Sequence, residues 1–420
     1  MGLYVSVPFC RTKCSYCNFA SDVFSRAMFE RYLERVTSDI ERAKQTAEAM
    51  GGGFDENADS VYLGGGTPTV LDSHQLKRLF VTIKQNFCLH SQTEVTVECA
   101  PGTLTEAVVG TLVSCGVNRV SLGVQSFVDQ EAAAVGRLHK RETTLNDIAR
   151  LRSAGIANIN IDLIAGLPHQ TAESWEFSLT QAVGAGVPHI SVYMLEVDED
   201  SRLGRELIAG GARYHAHFVP DDDLTAGLYM AACERLETAG IRQYEISNFA
   251  REGQASRHNL KYWTRQPYFG FGVDAHSMLE ASDDPYVLVR AAEARSGADY
   301  GGSPACDAMA AYADAVRFAT ADSLEKYVAG TPLVRTPVSR EAALEETFFL
   351  GLRLTAGVDL EKVQQKFGSE MLRAVIPVVN ELVDVGLLES GDGKLRLTPR
   401  GRLLSNEVFE QFLTSAEKSF

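Results

Sequence analysis

Between residues 3 and 195, short runs rich in Val, Ile and Leu alternate with longer segments of helical periodicity. This alternation limits the fold more than any other feature of the chain. The runs are Leu3–Val7, Ser60–Leu63, Glu94–Glu98, Arg119–Val124, Ile159–Ile164 and His189–Leu195. Each reads as a strand buried on both faces, and such strands belong to parallel sheets. After the first run, Phe29, Leu33, Val36, Ile40 and Ala43 recur at helical spacing and form one apolar stripe. Two later helices end alike, at Cys115-Gly116 and Ala154-Gly155, where glycine supplies the left-handed residue that stops a helix before the next strand. Repeated βα units with right-handed crossovers curl a sheet toward a barrel. Six units predict an α/β fold, a partial (β/α)6 barrel with its chemistry at the C-terminal strand ends.

After residue 195 the pattern loosens. The chain divides into a barrel core with an extension (1–280), an irregular small-residue insertion and linker (281–335, most evident over 280–312), and a compact C-terminal unit (336–420). In the last, a helix ending near Leu354 and helices over Asp359–Phe367 and Met371–Val385 precede a hairpin about Gly391-Asp392-Gly393. A final helix starts from Pro399, which completes a winged-helix-like α+β pattern. The unit carries few basic residues and the whole chain has a net charge of −15. Nucleic-acid binding rests on clustered Lys and Arg, so none is expected, and the unit reads as a packing element or lid. No run approaches the roughly 20 apolar residues of a membrane span. The first residues lack the regions of a signal peptide, and the expected location is the cytoplasm.

Of eight cysteines, Cys10, Cys14 and Cys17 crowd directly behind the first strand and the other five are scattered. Clustered thiols in a reducing compartment point to a metal site rather than to disulfides. Three thiolates on one short loop suit a [4Fe–4S] cluster and leave one iron open to an outside ligand. Zinc would require a fourth ligand, and no further Cys or His lies nearby. Polar groups follow at the ends of successive strands. Gly64-Gly65-Gly66-Thr67-Pro68 closes the second, where glycines permit close approach and offer unobstructed amides. Glu98 ends the third, Gln125 ends the fourth and Asp162 lies in the fifth. Any one of these alone reads as a satisfied structural hydrogen bond; four strand ends in a row point to a ligand. Arg137 is a candidate carboxylate clamp.

The Cys10-x3-Cys14-x2-Cys17 spacing, with Tyr16 before the last cysteine, resembles the signature of the radical S-adenosylmethionine (SAM) superfamily. That resemblance implies that SAM chelates the open iron and that one electron from the reduced cluster cleaves it to a 5′-deoxyadenosyl radical. Tyr4-Val-Ser-Val-Pro-Phe-Cys10, Gly64-Gly-Gly-Thr-Pro68, Gly123-Val-Gln-Ser-Phe127, Ile161-Asp-Leu-Ile-Ala-Gly-Leu-Pro168 and Tyr244-Glu-Ile-Ser-Asn-Phe249 narrow it further. They are similar to the oxygen-independent coproporphyrinogen III oxidases and their relatives. By that resemblance Tyr4 lies beside the cluster, Gly65, Gly66, Thr67, Glu98 and Arg137 hold the methionyl end of SAM, and Gln125 and Asp162 hold its ribose. The oxidases carry a fourth cysteine in the cluster motif, where this chain has Phe19. The chain therefore looks like the oxidase-like heme chaperone branch.

Arg257-His258-Asn259-Leu-Lys-Tyr262-Trp263 resembles the HNxxYW heme-binding motif of that branch. An imidazole can ligate heme iron, and Tyr and Trp offer flat apolar surface to a macrocycle. Resemblance implies heme held by His258, Asn259, Tyr262 and Trp263, transfer to respiratory hemoproteins with transient membrane association, and a cluster-dependent homodimer. The competing expectation is a catalyst, either a porphyrinogen oxidase or a class C radical SAM methyltransferase.

Overall fold

In the computed structural model the described residues are 1–284, 287 and 313–413. All six expected strands form, as β1 (Gly2–Val7), β2 (Asn57–Gly65), β3 (Cys88–Cys99), β4 (Arg119–Gln125), β5 (Asn158–Ala165) and β6 (His189–Met194). They lie side by side in that order, each parallel to the next. β7 (Arg242–Glu245) and β8 (Asn248–Ala250) make a hairpin whose second strand joins β6 antiparallel. On the other flank β9 (Tyr268–Gly272) runs parallel to β1, followed by antiparallel β10 (His276–Glu280), β11 (Ala315–Ala319) and β12 (Val334–Val338). Among the described residues the sheet has 12 strands and stays open, with β12 and β7 at its edges.

The strands are not apolar on both faces. Leu3, Val5 and Val7, then Val61 and Leu63, Val95 and Val97, Val120 and Leu122, Ile159 and Ile161, and Ile190 and Val192 share one core with Leu33, Val36 and Ile40 of the helix Arg26–Glu41. The residues between them point to the opposite face, because side chains alternate along a strand. They are Tyr4 and Ser6, Ser60 and Tyr62, Glu94, Thr96 and Glu98, Arg119 and Ser121, Asn160 and Asp162, and His189 and Ser191. The lumen of the partial barrel is therefore polar.

From Ala315 onward the stretch expected as linker is regular structure. β11, the helix Leu324–Ala329 and β12 extend the main sheet, and Phe318 packs edge-on against Phe269 at 5.2 Å. These elements are short and follow a glycine- and serine-bearing segment, which hid them in the sequence. The remainder of the expected insertion, 285–286 and 288–312, lies outside the described residues.

The C-terminal unit has the helices Arg340–Gly351, Leu360–Phe367 and Ser369–Asp384 with a small sheet of β13 (Val358–Asp359), β14 (Leu388–Gly391) and β15 (Lys394–Leu397). Phe348, Val363, Phe367, Leu382 and Leu395 form its own core. Ion pairs fasten it to the barrel: Glu346 receives Arg265 at 2.7 Å and Arg317 at 2.7 Å, and on the barrel side Arg265 also pairs with Asp314 at 3.2 Å. Among the described residues no helix is long and apolar enough to cross a membrane.

Candidate cofactor and ligand site

Cys10, Cys14 and Cys17 stand on the loop that leaves β1, are free thiols, and all open into one cavity of about 950 Å³. Burial pushes the Cys10 and Cys17 thiols above their ordinary pKa, so holding them as thiolates calls for a bound cation. Among the described residues no three His, Cys, Asp or Glu side chains are grouped as a single metal ion would need. Thiols spaced along one cavity wall fit a polynuclear cluster, whose irons are bound at separate corners.

Gly65, Gly66 and Thr67 line the same cavity, but two of their amides are already engaged. Gly66 N–H donates to Val7 O (2.8 Å) and Thr67 N–H to Phe9 O (2.7 Å), which clamps the end of β2 onto the root of the cysteine loop. A Cβ on Gly66 would fall 2.7 Å from Phe9 O, so this glycine serves backbone packing. The expectation that these amides are free for a ligand is thereby corrected.

Glu98 accepts a hydrogen bond from Tyr62 Oη at 2.7 Å, and burial pushes its carboxyl up to about 7. A Cβ on Gly64 would lie 3.0 Å from that carboxyl, which explains a third glycine beside it. Gln125 sits where the β4–β5 register slips, with φ of 70°, and this bulge turns its amide into the cavity. Asp162 accepts from Ser121 Oγ (3.0 Å) and Asn160 Nδ2 (2.7 Å). Arg137 comes from the turn after the helix Asp129–Ala134, donates through Nη2 to Tyr16 Oη (3.3 Å), and has no partner for its buried Nε. The structure thus gathers the three cysteines, Gly65, Gly66, Thr67, Glu98, Gln125, Arg137 and Asp162 around one space. Tyr4 does not line it; its ring lies 6.1 Å from Tyr62 and 6.3 Å from His258.

The helix Arg257–Trp263 closes the N-terminal end of the lumen. Its first amides, on Arg257 and His258, both donate to the Glu94 carboxylate at 3.1 Å. His258 is 1% exposed and both ring nitrogens are engaged, Nδ1 with Ser60 Oγ and Nε2 with Tyr262 Oη, each at 2.9 Å. Burial lowers its pKa to about 3. Asn259 faces the cavity, whereas Trp263 lies under the guanidinium of Arg353 at 4.3 Å. The four motif residues therefore do not share one open surface.

Residue-type reasoning overlooked the layer beneath the strand ends. Asn160 bonds Ser121 (2.7 Å), Ser191 (3.0 Å) and His189 (2.6 Å), and His189 bonds Tyr244 (3.0 Å). Arg119, Asn160 and Ser191 line the cavity, as do Arg353, Leu403, Ser405 and Asn406 of the C-terminal unit. The available signal was the period-two pattern in Arg119-Val-Ser-Leu-Gly, Asn158-Ile-Asn-Ile-Asp and His189-Ile-Ser-Val-Tyr.

Comparison with known proteins agrees with this arrangement. Residues 4–182 match the Radical SAM superfamily and residues 338–404 the HemN C-terminal domain. The chain is 33% identical to the heme chaperone HemW of Bacillus subtilis (strain 168) over 413 residues, 98% of each chain. It is 30% identical to the heme chaperone HemW of Lactococcus lactis subsp. lactis (strain IL1403), covering 98% of this chain and 96% of that one. Coproporphyrinogen III oxidase (HemN) from Escherichia coli, a radical SAM enzyme, shares the fold with a TM-score of 0.75 at 22% identity, over 98% of this chain and 89% of the other. A cysteine loop behind β1, ligand groups at successive strand ends and relatives of matching length lead to one conclusion: the chain belongs to the HemW family of the radical SAM superfamily.

Proposed function

We propose that this protein is a heme chaperone that carries a SAM-ligated [4Fe–4S] cluster and delivers heme to respiratory hemoproteins. The observation that carries this reading is a single cavity of about 950 Å³ that has the cysteine loop in its wall and also meets Asn259 of the HNxxYW helix. It lies within the range of small-molecule sites. The relatives that match over nearly the full chain bear the name heme chaperone.

In this reading Cys10, Cys14 and Cys17 would hold the cluster, which would supply an open coordination position for the amino-acid end of SAM. Glu98 and Arg137 orient that end, and Gln125 and Asp162 take the ribose. Heme is cargo. Asn259 meets it from the cavity, and His258 reaches iron only after its bond to Tyr262 is broken. Delivery takes place from the cytoplasm at the membrane surface, from a dimer that forms with the cluster.

The test is an anaerobic heme titration of cluster-reconstituted protein, followed at the Soret band, for wild type and His258→Ala. Near-stoichiometric binding that weakens in the variant supports the chaperone. If wild type and variant behave identically, or neither binds heme, the reading fails, and turnover of coproporphyrinogen and methyl transfer become the activities to measure.

A further inference from the structure

Arg119 opens β4 on the lumen side, is 1% exposed, and lines the cavity. Among the described residues no carboxylate pairs with it, and its Nε has no hydrogen-bond partner. Arg265, also deeply buried, is by contrast neutralised by Glu346 and Asp314. The two residues in register with Arg119 are Thr96 on β3 and Asn158 on β5. They too have a buried atom without a partner, Thr96 Oγ1 and Asn158 Oδ1. The nearby acid, Asp162, is occupied by Ser121 and Asn160. A guanidinium out of water without a counter-ion is strongly unfavourable, and its planar fork of donors matches a carboxylate.

We propose that Arg119 anchors a carboxylate of the ligand in the inner part of the cavity, a propionate of the tetrapyrrole; this rests on the heme reading given above. The methionyl carboxylate of SAM is the other organic carboxylate in play. A Cβ on Gly123 would lie 3.2 Å from Arg137 Nη2, which places Arg137 beside Gly123. Four residues of strand separate that position from Arg119, about 13 Å at roughly 3.3 Å per residue. The two arginines therefore stand toward opposite ends of β4, and the experiment decides which carboxylate each takes.

The experiment compares heme with heme dimethyl ester, whose propionates are blocked, and SAM with both, on the cluster-loaded full chain. Wild type is expected to bind heme on the order of a hundredfold tighter than the ester. Arg119→Gln should lose that preference, Arg119→Lys should keep part of it, and SAM affinity should stay within about twofold in both, because in this reading the methionyl carboxylate belongs to Arg137. Equal binding of heme and ester by wild type overturns the inference while leaving the chaperone intact, and it needs no variant to fold. A loss confined to SAM in Arg119→Gln also overturns it, by assigning the carboxylate to SAM. Absence of heme binding in wild type removes the chaperone reading and this inference together.

Discussion

Glu98 keeps its proton to about pH 7 because burial outweighs the hydrogen bond from Tyr62. In the unfolded chain the same group ionises near its ordinary value of 4.5. From 4.5 to 7 the unfolded state therefore binds fewer protons than the folded one, so folding stability falls across that window and is level above it. Glu98→Gln removes the penalty. Thermal unfolding of SAM-free protein should show the variant ahead by on the order of 3 kcal/mol at pH 8 and level with wild type near pH 4.5. An advantage that does not change with pH would contradict the assignment. His258 acts with the opposite sign: its neutral form is held down to about pH 3, so stability is lost as pH falls through the ordinary histidine range. Its Nε2 is tied to Tyr262 Oη. Tyr262→Phe should free that nitrogen, raise heme affinity severalfold and strengthen a histidine-ligated Soret band. An unchanged spectrum would count against His258 as the ligand.

The elements were legible to different degrees. The six parallel strands stood out because Leu3, Val5, Val120, Ile159 and Ile190 belong to a core that needs Val, Ile and Leu. Their partners on the lumen side were harder to read, since Arg119, Asn160 and Ser191 look individually like ordinary surface residues until the sheet curls them inward. Gly66 and Thr67 were found at the site for a partly mistaken reason, as their amides hold Val7 and Phe9. Gly66→Ala should therefore misplace the cysteine loop, lowering the iron and sulfide retained on reconstitution and the absorbance of the cluster near the visible edge, even with SAM in excess. The helix Arg257–Trp263 was visible as a motif, but its anchor was not, because Glu94 lies far away in sequence. Removing that carboxylate with Glu94→Ala leaves the buried amide of His258 and the part-buried amide of Arg257 unpaired and should cost about 1–3 kcal/mol. Hydrogen exchange should then rise at Arg257 and His258 more than in β1.

On the scale of the whole molecule, the C-terminal unit is joined to the barrel through Glu346, which receives both Arg265 and Arg317. Glu346→Ala strands the buried Arg265 with only Asp314, and breaking such a pair costs about 3–5 kcal/mol. Limited proteolysis should then release the unit beyond Val338 before the barrel is cut. SAM and heme binding should weaken, since Arg353, Leu403 and Ser405 leave the cavity wall. Co-cleavage of both parts at one rate would argue against this coupling. The alternation within β1 to β6 has a wider consequence. Residues of the apolar core and residues that face the lumen occupy alternate positions on the same strands, so a lumen residue can be exchanged without opening a cavity in that core. The same frame can therefore carry a different lumen, and the architecture is kept at 22% identity to coproporphyrinogen III oxidase.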